Sequence, residues 1–146
     1  MGSITLTAGI KPGFLSSLIS KETSCGLTES PWILEAETGQ KVNLTLMYFN
    51  WHDQEEGGSP CSTKLGYLFD LDSEDIVNIC GSTSHTSHLH TTEGNRVQLL
   101  LDKAALADSH FIIKYEGRWH LLGKHNFFCI NDPGVFPLKI CQCLML

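Results

Sequence analysis

The most regular alternation in the chain follows Gly39 and Gln40. Val42, Leu44, Leu46 and Tyr48 fall on one side; Asn43, Thr45 and Met47 fall on the other. A period of two with one apolar side predicts a strand that packs one face on a core. Residues 32–36, Trp-Ile-Leu-Glu-Ala, read as the strand before it, joined through a turn at 37–40. A long polar loop at 52–60 follows, with adjacent glycines at Gly57 and Gly58. Residues 65–71 form an apolar and aromatic strand, 72–75 a turn, and 76–80 another strand. Beyond a turn at 81–84, a short extended piece at 89–92 and a turn at 93–95, residues 96–101 alternate with Val97, Leu99 and Leu101 on one side. A short helical or irregular turn is expected over 102–108, then a last strand over 111–115. Helical signals are few. Short strands at regular spacing with turn chemistry between them predict an all-β fold, an antiparallel sandwich or barrel.

The periodicity stops after Gly117. Residues 118–146 hold Trp119, Phe127, Phe128 and Phe136 with little clear period, and read as an atypical tail, disordered or outside the domain formed by residues 1–117. At 146 residues the chain has one domain's worth of length, enough to bury a core. A net charge of −6, with ten Lys and Arg scattered singly, gives no basic stripe and argues against nucleic acid. No apolar run approaches the roughly 20 residues of a membrane-spanning helix.

Six cysteines, Cys25, Cys61, Cys80, Cys129, Cys141 and Cys143, change the picture. An even count in a loop-rich chain points to an oxidising compartment. Structural zinc is the rival reading, although the spacings suit it poorly. Six cysteines permit fifteen pairings, and spacing does not choose among them. An export signal is missing from the start of the sequence. The expectation is therefore a piece of a larger secreted or membrane-anchored protein, with a cytosolic thiol protein as the alternative.

Read in order, the motifs resemble the CUB domain family. Residues 31–40, Pro-Trp-Ile-Leu-Glu-Ala-Glu-Thr-Gly-Gln, with Val42, Leu44 and Leu46 and then Phe49, are similar to that family's strand-turn-strand. Cys61, residues 66–70 and the Cys80-Gly81 pair are similar to its third cysteine, its tyrosine-bearing strand and its Cys-Gly. Residues 94–99, then Phe111 and Tyr115, are similar to its closing strands. The opening, Gly2 to Ile4 with Gly13 and Phe14, is a weaker match. The resemblance implies a CUB-like jelly-roll sandwich from secreted proteins and ectodomains, and a Cys61–Cys80 bridge. It also implies that Cys25 corresponds to the family's second cysteine, so that the domain is incomplete at its start. The stretch between Cys25 and Trp32 is longer than in the family, and the three tail cysteines have no counterpart there.

Calcium is the cofactor that the resemblance raises, since many family members use it to hold a partner's lysine. Carboxylates around a hard cation orient one another and then meet an ammonium group. Asp53, Glu55 and Glu56 follow Phe49, and Asp102 and Asp108 lie in the last loop. After Cys61, where the family has an acid, this chain has Lys64. The expectation is a sandwich without calcium or another cofactor. The acidic run from Asp70 to Asp75 reads as a strand-end turn. His88 and His90 could share a strand face, but lack companion ligands at zinc spacing, and no metal site is assigned. Asn43-Leu44-Thr45 is an N-glycosylation sequon on the polar side of its strand. No phosphate loop, nucleophile elbow or metalloprotease helix occurs.

The expected function is thus a non-catalytic extracellular recognition module. It would bind a protein ligand or neighbouring domains of the parent chain, or else a glycan, through the 53–59 and 102–108 loops, because loops on rigid sheets carry recognition. The alternatives are a structural spacer in a multidomain ectodomain and, more remotely, a thiol- or metal-dependent enzyme.

Overall fold

A computed structural model describes residues 2–50, 61 and 63–119. The elements are β1 (Ile4–Thr7), β2 (Gly13–Ser16), α1 (Ser17–Thr23), β3 (Trp32–Glu35), β4 (Gln40–Tyr48), β5 (Lys64–Asp70), β6 (Ile76–Cys80), β7 (Thr86–Thr91), β8 (Arg96–Leu101), α2 (Lys103–Asp108) and β9 (Phe111–Trp119). They build two sheets packed as a sandwich, β1-β3-β8-β5-β6 against β2-β9-β4-β7. The chain passes from one sheet to the other at almost every connection. Strand pairing is antiparallel except for β1 on β3, which is parallel because the intervening β2 lies in the opposite sheet.

The core is the sum of the alternating faces. Val42, Leu44 and Leu46 from β4 meet Leu34, Leu65, Leu68, Ile79, Val97 and Leu99 from the other sheet, all with no exposed surface. Each such side chain contributes roughly 1.5–3 kcal/mol on burial. The turn before β4 places Gly39 at φ 90°, a left-handed conformation that glycine adopts without steric cost.

Four features depart from the sequence reading. The opening segment forms two strands, and β2 runs straight into a helix. In α1 the buried residues are Ser17 and Ser20, while Leu18 and Ile19 are exposed. This reverses the usual amphipathic pattern. The reason is local: Ser16 caps the helix by accepting from the Leu18 N–H, and the Ser17 hydroxyl accepts from the Phe111 N–H at 3.0 Å where β9 begins. Finally, β9 does not stop at Tyr115. Arg118 and Trp119 continue the ladder opposite Lys41 and Gln40.

Candidate functional site

The two ends of the sandwich bear different connections. At one end, α1 packs on α2. The residues after β4, the β6–β7 link and the α2–β9 turn gather at the same end. Phe49 donates its N–H to the His110 carbonyl, and Tyr48 donates to the His85 carbonyl. Asn50 clamps the α2–β9 turn: its Oδ1 accepts from the His110 N–H at 2.6 Å and its Nδ2 donates to the Asp108 carbonyl at 3.2 Å. Phe49 is half exposed, with the His85 ring edge-on at 5.0 Å. A disulfide joins Cys61 to Cys80, tying the end of β6 to the chain entering β5.

The candidate acids divide here. Asp53, Glu55 and Glu56 lie outside the described residues. Asp102 and Asp108 are both exposed at this end and bracket α2. Asp102 is the helix N-cap, with Oδ1 accepting from the Ala104 N–H at 2.9 Å. A six-residue helix rises about 9 Å, so the two carboxylates sit apart and do not converge on one point. Among the described residues no three or more His, Cys, Asp or Glu are grouped to hold a metal ion. Cys25 is half-buried against the core and has no disulfide partner among the described residues; Cys129, Cys141 and Cys143 lie outside them.

The opposite end is closed by hydrogen bonds from side chains. Asp70 is wholly buried. Its Oδ1 accepts from the N–H groups of Asp72 and Ser73, and its Oδ2 accepts from the Glu93 N–H at 2.8 Å and faces His90 Nε2 at 3.1 Å. Burial opposes ionisation of this carboxyl. The bonds from Glu93, His90, Asp72 and Ser73 together outweigh burial and hold it below the usual carboxylate range. The acidic run is thus a turn whose one buried carboxylate is fully used by protein donors, and the clasp crosses from β5 in one sheet to β7 in the other.

A bulge in β7 explains the histidines. Leu44 faces His90 and Thr45 faces His88, so Leu89 is the extra residue. An inserted residue breaks the alternation. His90 points inward to Asp70, and His88 lies outside beside the Thr91 hydroxyl at 3.3 Å. The strand face that regular alternation would give the pair does not form.

Asn43 occupies the outer face of the four-stranded sheet. Its Oδ1 accepts from Thr91 Oγ1 and its Nδ2 donates to Glu116 Oε1, which also pairs with Arg118. Burial works against the Glu116 charge, but the bonds from Asn43 and Arg118 and the nearby Arg118 and Lys114 charges pull its pKa below the usual range. Sequence reading missed the Asn50 clamp, the Asp70–His90 clasp and α1. Only the Asp70 turn left a sequence signal, its cluster of Asp and Ser.

No family model matches the chain, and no curated protein matches it. Among solved structures, the full extracellular region of zebrafish Gpr126/Adgrg6 is similar to this chain with a TM-score of 0.47 and 16% identity, over 81% of this chain but only 15% of that one.

Proposed function

We propose that this chain is a non-catalytic, CUB-type recognition module that works outside the cell and holds a protein ligand through the loops at its α1–α2 end. The observation that carries the reading is the Cys61–Cys80 disulfide at the loop end of a two-sheet sandwich. Disulfides form and persist in oxidising compartments. The order of motifs from Trp32 to Tyr115 supports the CUB type. The recognition surface consists of the 53–59 loop, with Asp53, Glu55 and Glu56, and of Asp102 and Asp108 bracketing α2. Carboxylates on such loops meet a partner's lysine or arginine in charge-assisted hydrogen bonds. A glycan on Asn43 would stand on the outer face of the four-stranded sheet, towards the other end, and leave Asp102 and Asp108 open.

Two measurements test this reading. Peptide mapping of natively secreted chain without reduction should recover Cys61 joined to Cys80; two free thiols there would overturn the extracellular assignment. Binding of labelled chain to cells that capture it should fall about tenfold when Asp53, Glu55 and Glu56 are changed together to Ala. Unchanged binding in that variant and in Asp102→Asn/Asp108→Asn would remove these loops from the recognition surface.

A further inference from the structure

The stretch between Cys25 and Trp32, longer than in the family the chain resembles, forms one wall of a groove beside the end of β8 and the start of β5, two inner strands of the five-stranded sheet. Its backbone is fixed by its own turns: Gly26 donates to the Ser30 carbonyl, Leu27 to Ser24 and Ser30 to Leu27. The loop is also tied to β8, because the Leu101 N–H donates to the Gly26 carbonyl. Gly26 has φ 89° and lies against the buried Trp32 ring, where a Cβ would overlap Nε1.

Two hollows of about 260 and 310 Å³ run along this wall and share Thr28, Leu101 and Lys103. The first is also lined by Ser24 and Ser30, and the second by Lys64 and Tyr67. Ser30 is 2% exposed, and its hydroxyl oxygen has no hydrogen-bond partner among the described residues. Buried hydroxyls are nearly always partnered, so an unpartnered one in the lining of a hollow has bonding capacity to spare. At the other end the Lys64 ammonium lies 5.6 Å from the centre of the Tyr67 ring. Lys103 stands between the two hollows. Two acids lie near: Asp102, whose carboxylate is engaged as the α2 cap, and Glu29, exposed on the rim.

We infer that this groove binds an acidic saccharide. Tyr67 offers the polar tip of its ring to a sugar, while the Lys64 ammonium lies over the ring itself. Lys64 and Lys103 offer two ammonium groups to a sulfate or uronate. Ser24 and Thr28, both exposed, offer hydroxyls that both donate and accept, which suits a polyol. The larger hollow stands at the lower limit of small-ligand sites, and the smaller one lies just below it. The chain's net charge of −6 opposes non-specific attraction of polyanions, so binding has to come from the local pair of lysines.

The inference rests on the reading of the chain as a recognition module; it uses none of Asp53, Glu55 and Glu56, although Asp102 of that reading also lines the second hollow. The probe is a heparin-derived tetrasaccharide, titrated calorimetrically into the full chain, with chitotetraose and a tetraglutamate peptide as comparisons. The heparin fragment binds, and Lys103→Glu and Lys64→Glu each weaken it about tenfold. Lys11→Glu, an equal charge change at an exposed position in the β1–β2 link, leaves binding within twofold. No binding of the heparin fragment, equal losses from Lys11→Glu, or equal affinity for tetraglutamate would overturn the inference. Such a failure leaves the partner-capture result with the acidic loop untouched, and loss of partner capture leaves the saccharide result untouched.

Discussion

The two ends of this sandwich solve the same problem by different means. At the Asp70 end, the turns after β3, β5 and β7 are held by side chains that reach backbone groups. Asp70 collects Asp72, Ser73, Glu93 and His90; Thr92 Oγ1 accepts from Val42; Asn95 Nδ2 donates to the Ala36 carbonyl. At the α1–α2 end, two short helices, one disulfide and the Asn50 clamp hold the connections, and Phe49, Asp102 and Asp108 remain exposed. Buried polar groups have to be satisfied, so the first end has no spare bonding capacity. The second end leaves polar and aromatic groups free to meet something else. An acidic residue therefore means opposite things at the two ends: at Asp70 it is structure, and at Asp102 and Asp108 it is surface.

The strongest way to break that contrast is to remove the clasp. Asp70→Ala leaves three backbone N–H groups and His90 without their acceptor inside the protein. A loss of about 3–5 kcal/mol is expected, because breaking a buried charged network strands its partners. Chemical denaturation measures it, and a loss under 1 kcal/mol would mean that water reaches the turn and the end is not closed. The same carboxyl sets an acid limit. Its folded pKa lies below its unfolded value of about 3.9, so its contribution is complete above that pH. The contribution is lost as pH falls through the folded pKa. The stability gap between wild type and Asp70→Asn should therefore still be present at pH 5 and close below about pH 4.

The next effect in size belongs to the other end. The Cys61–Cys80 link spans a sequence separation of 19, for which chain entropy gives about 3 kcal/mol. Reduction should lower stability by that amount. Hydrogen exchange should then rise first at Gly81, whose N–H donates to the Thr63 carbonyl, and at Tyr48, while the Glu93 N–H stays protected. Simultaneous loss of protection at both ends would show that the sandwich opens as one unit and that the contrast between its ends is only geometric.

How much of this was legible in the sequence follows the same division. The alternation in 42–48 and 97–101, and the apolar and aromatic run in 65–71, were readable because each strand packs on a single apolar core. The start of the chain was not. Ile4 and Leu6 alternate with Thr5 and Thr7 over only four residues, and α1 hides serines while exposing Leu18 and Ile19. A helix placed by the Ser17 bond to the head of β9 carries no apolar period to read. The β7 bulge was equally silent, since one extra residue decides whether His88 and His90 share a face, and nothing local marks Leu89 as that residue. The Asp102–Asp108 stretch was expected as a short helical or irregular turn, and it forms α2. Its Asp102 cap was visible only as an acid, with no indication of which donor it would meet.

The smallest effect separates the two roles of Asp102. Its Oδ1 accepts from the Ala104 N–H, and its charge faces solvent. Asp102→Ala removes both, and the lost cap costs about 1 kcal/mol. Asp102→Asn keeps an oxygen in the capping position and removes only the charge, so stability should change by no more than a few tenths of a kcal/mol. If the α1–α2 end is a recognition surface, Asp102→Asn should still weaken partner capture, because an exposed charge that does little for the fold can act on a ligand. At Asp70 the same change of Asp to Asn should be costly to the fold, since its carboxylate oxygens already serve four donors and an amide offers one acceptor fewer. Equal costs at the two positions, read from paired denaturation curves, would place both carboxylates in the same structural role and erase the difference between the ends.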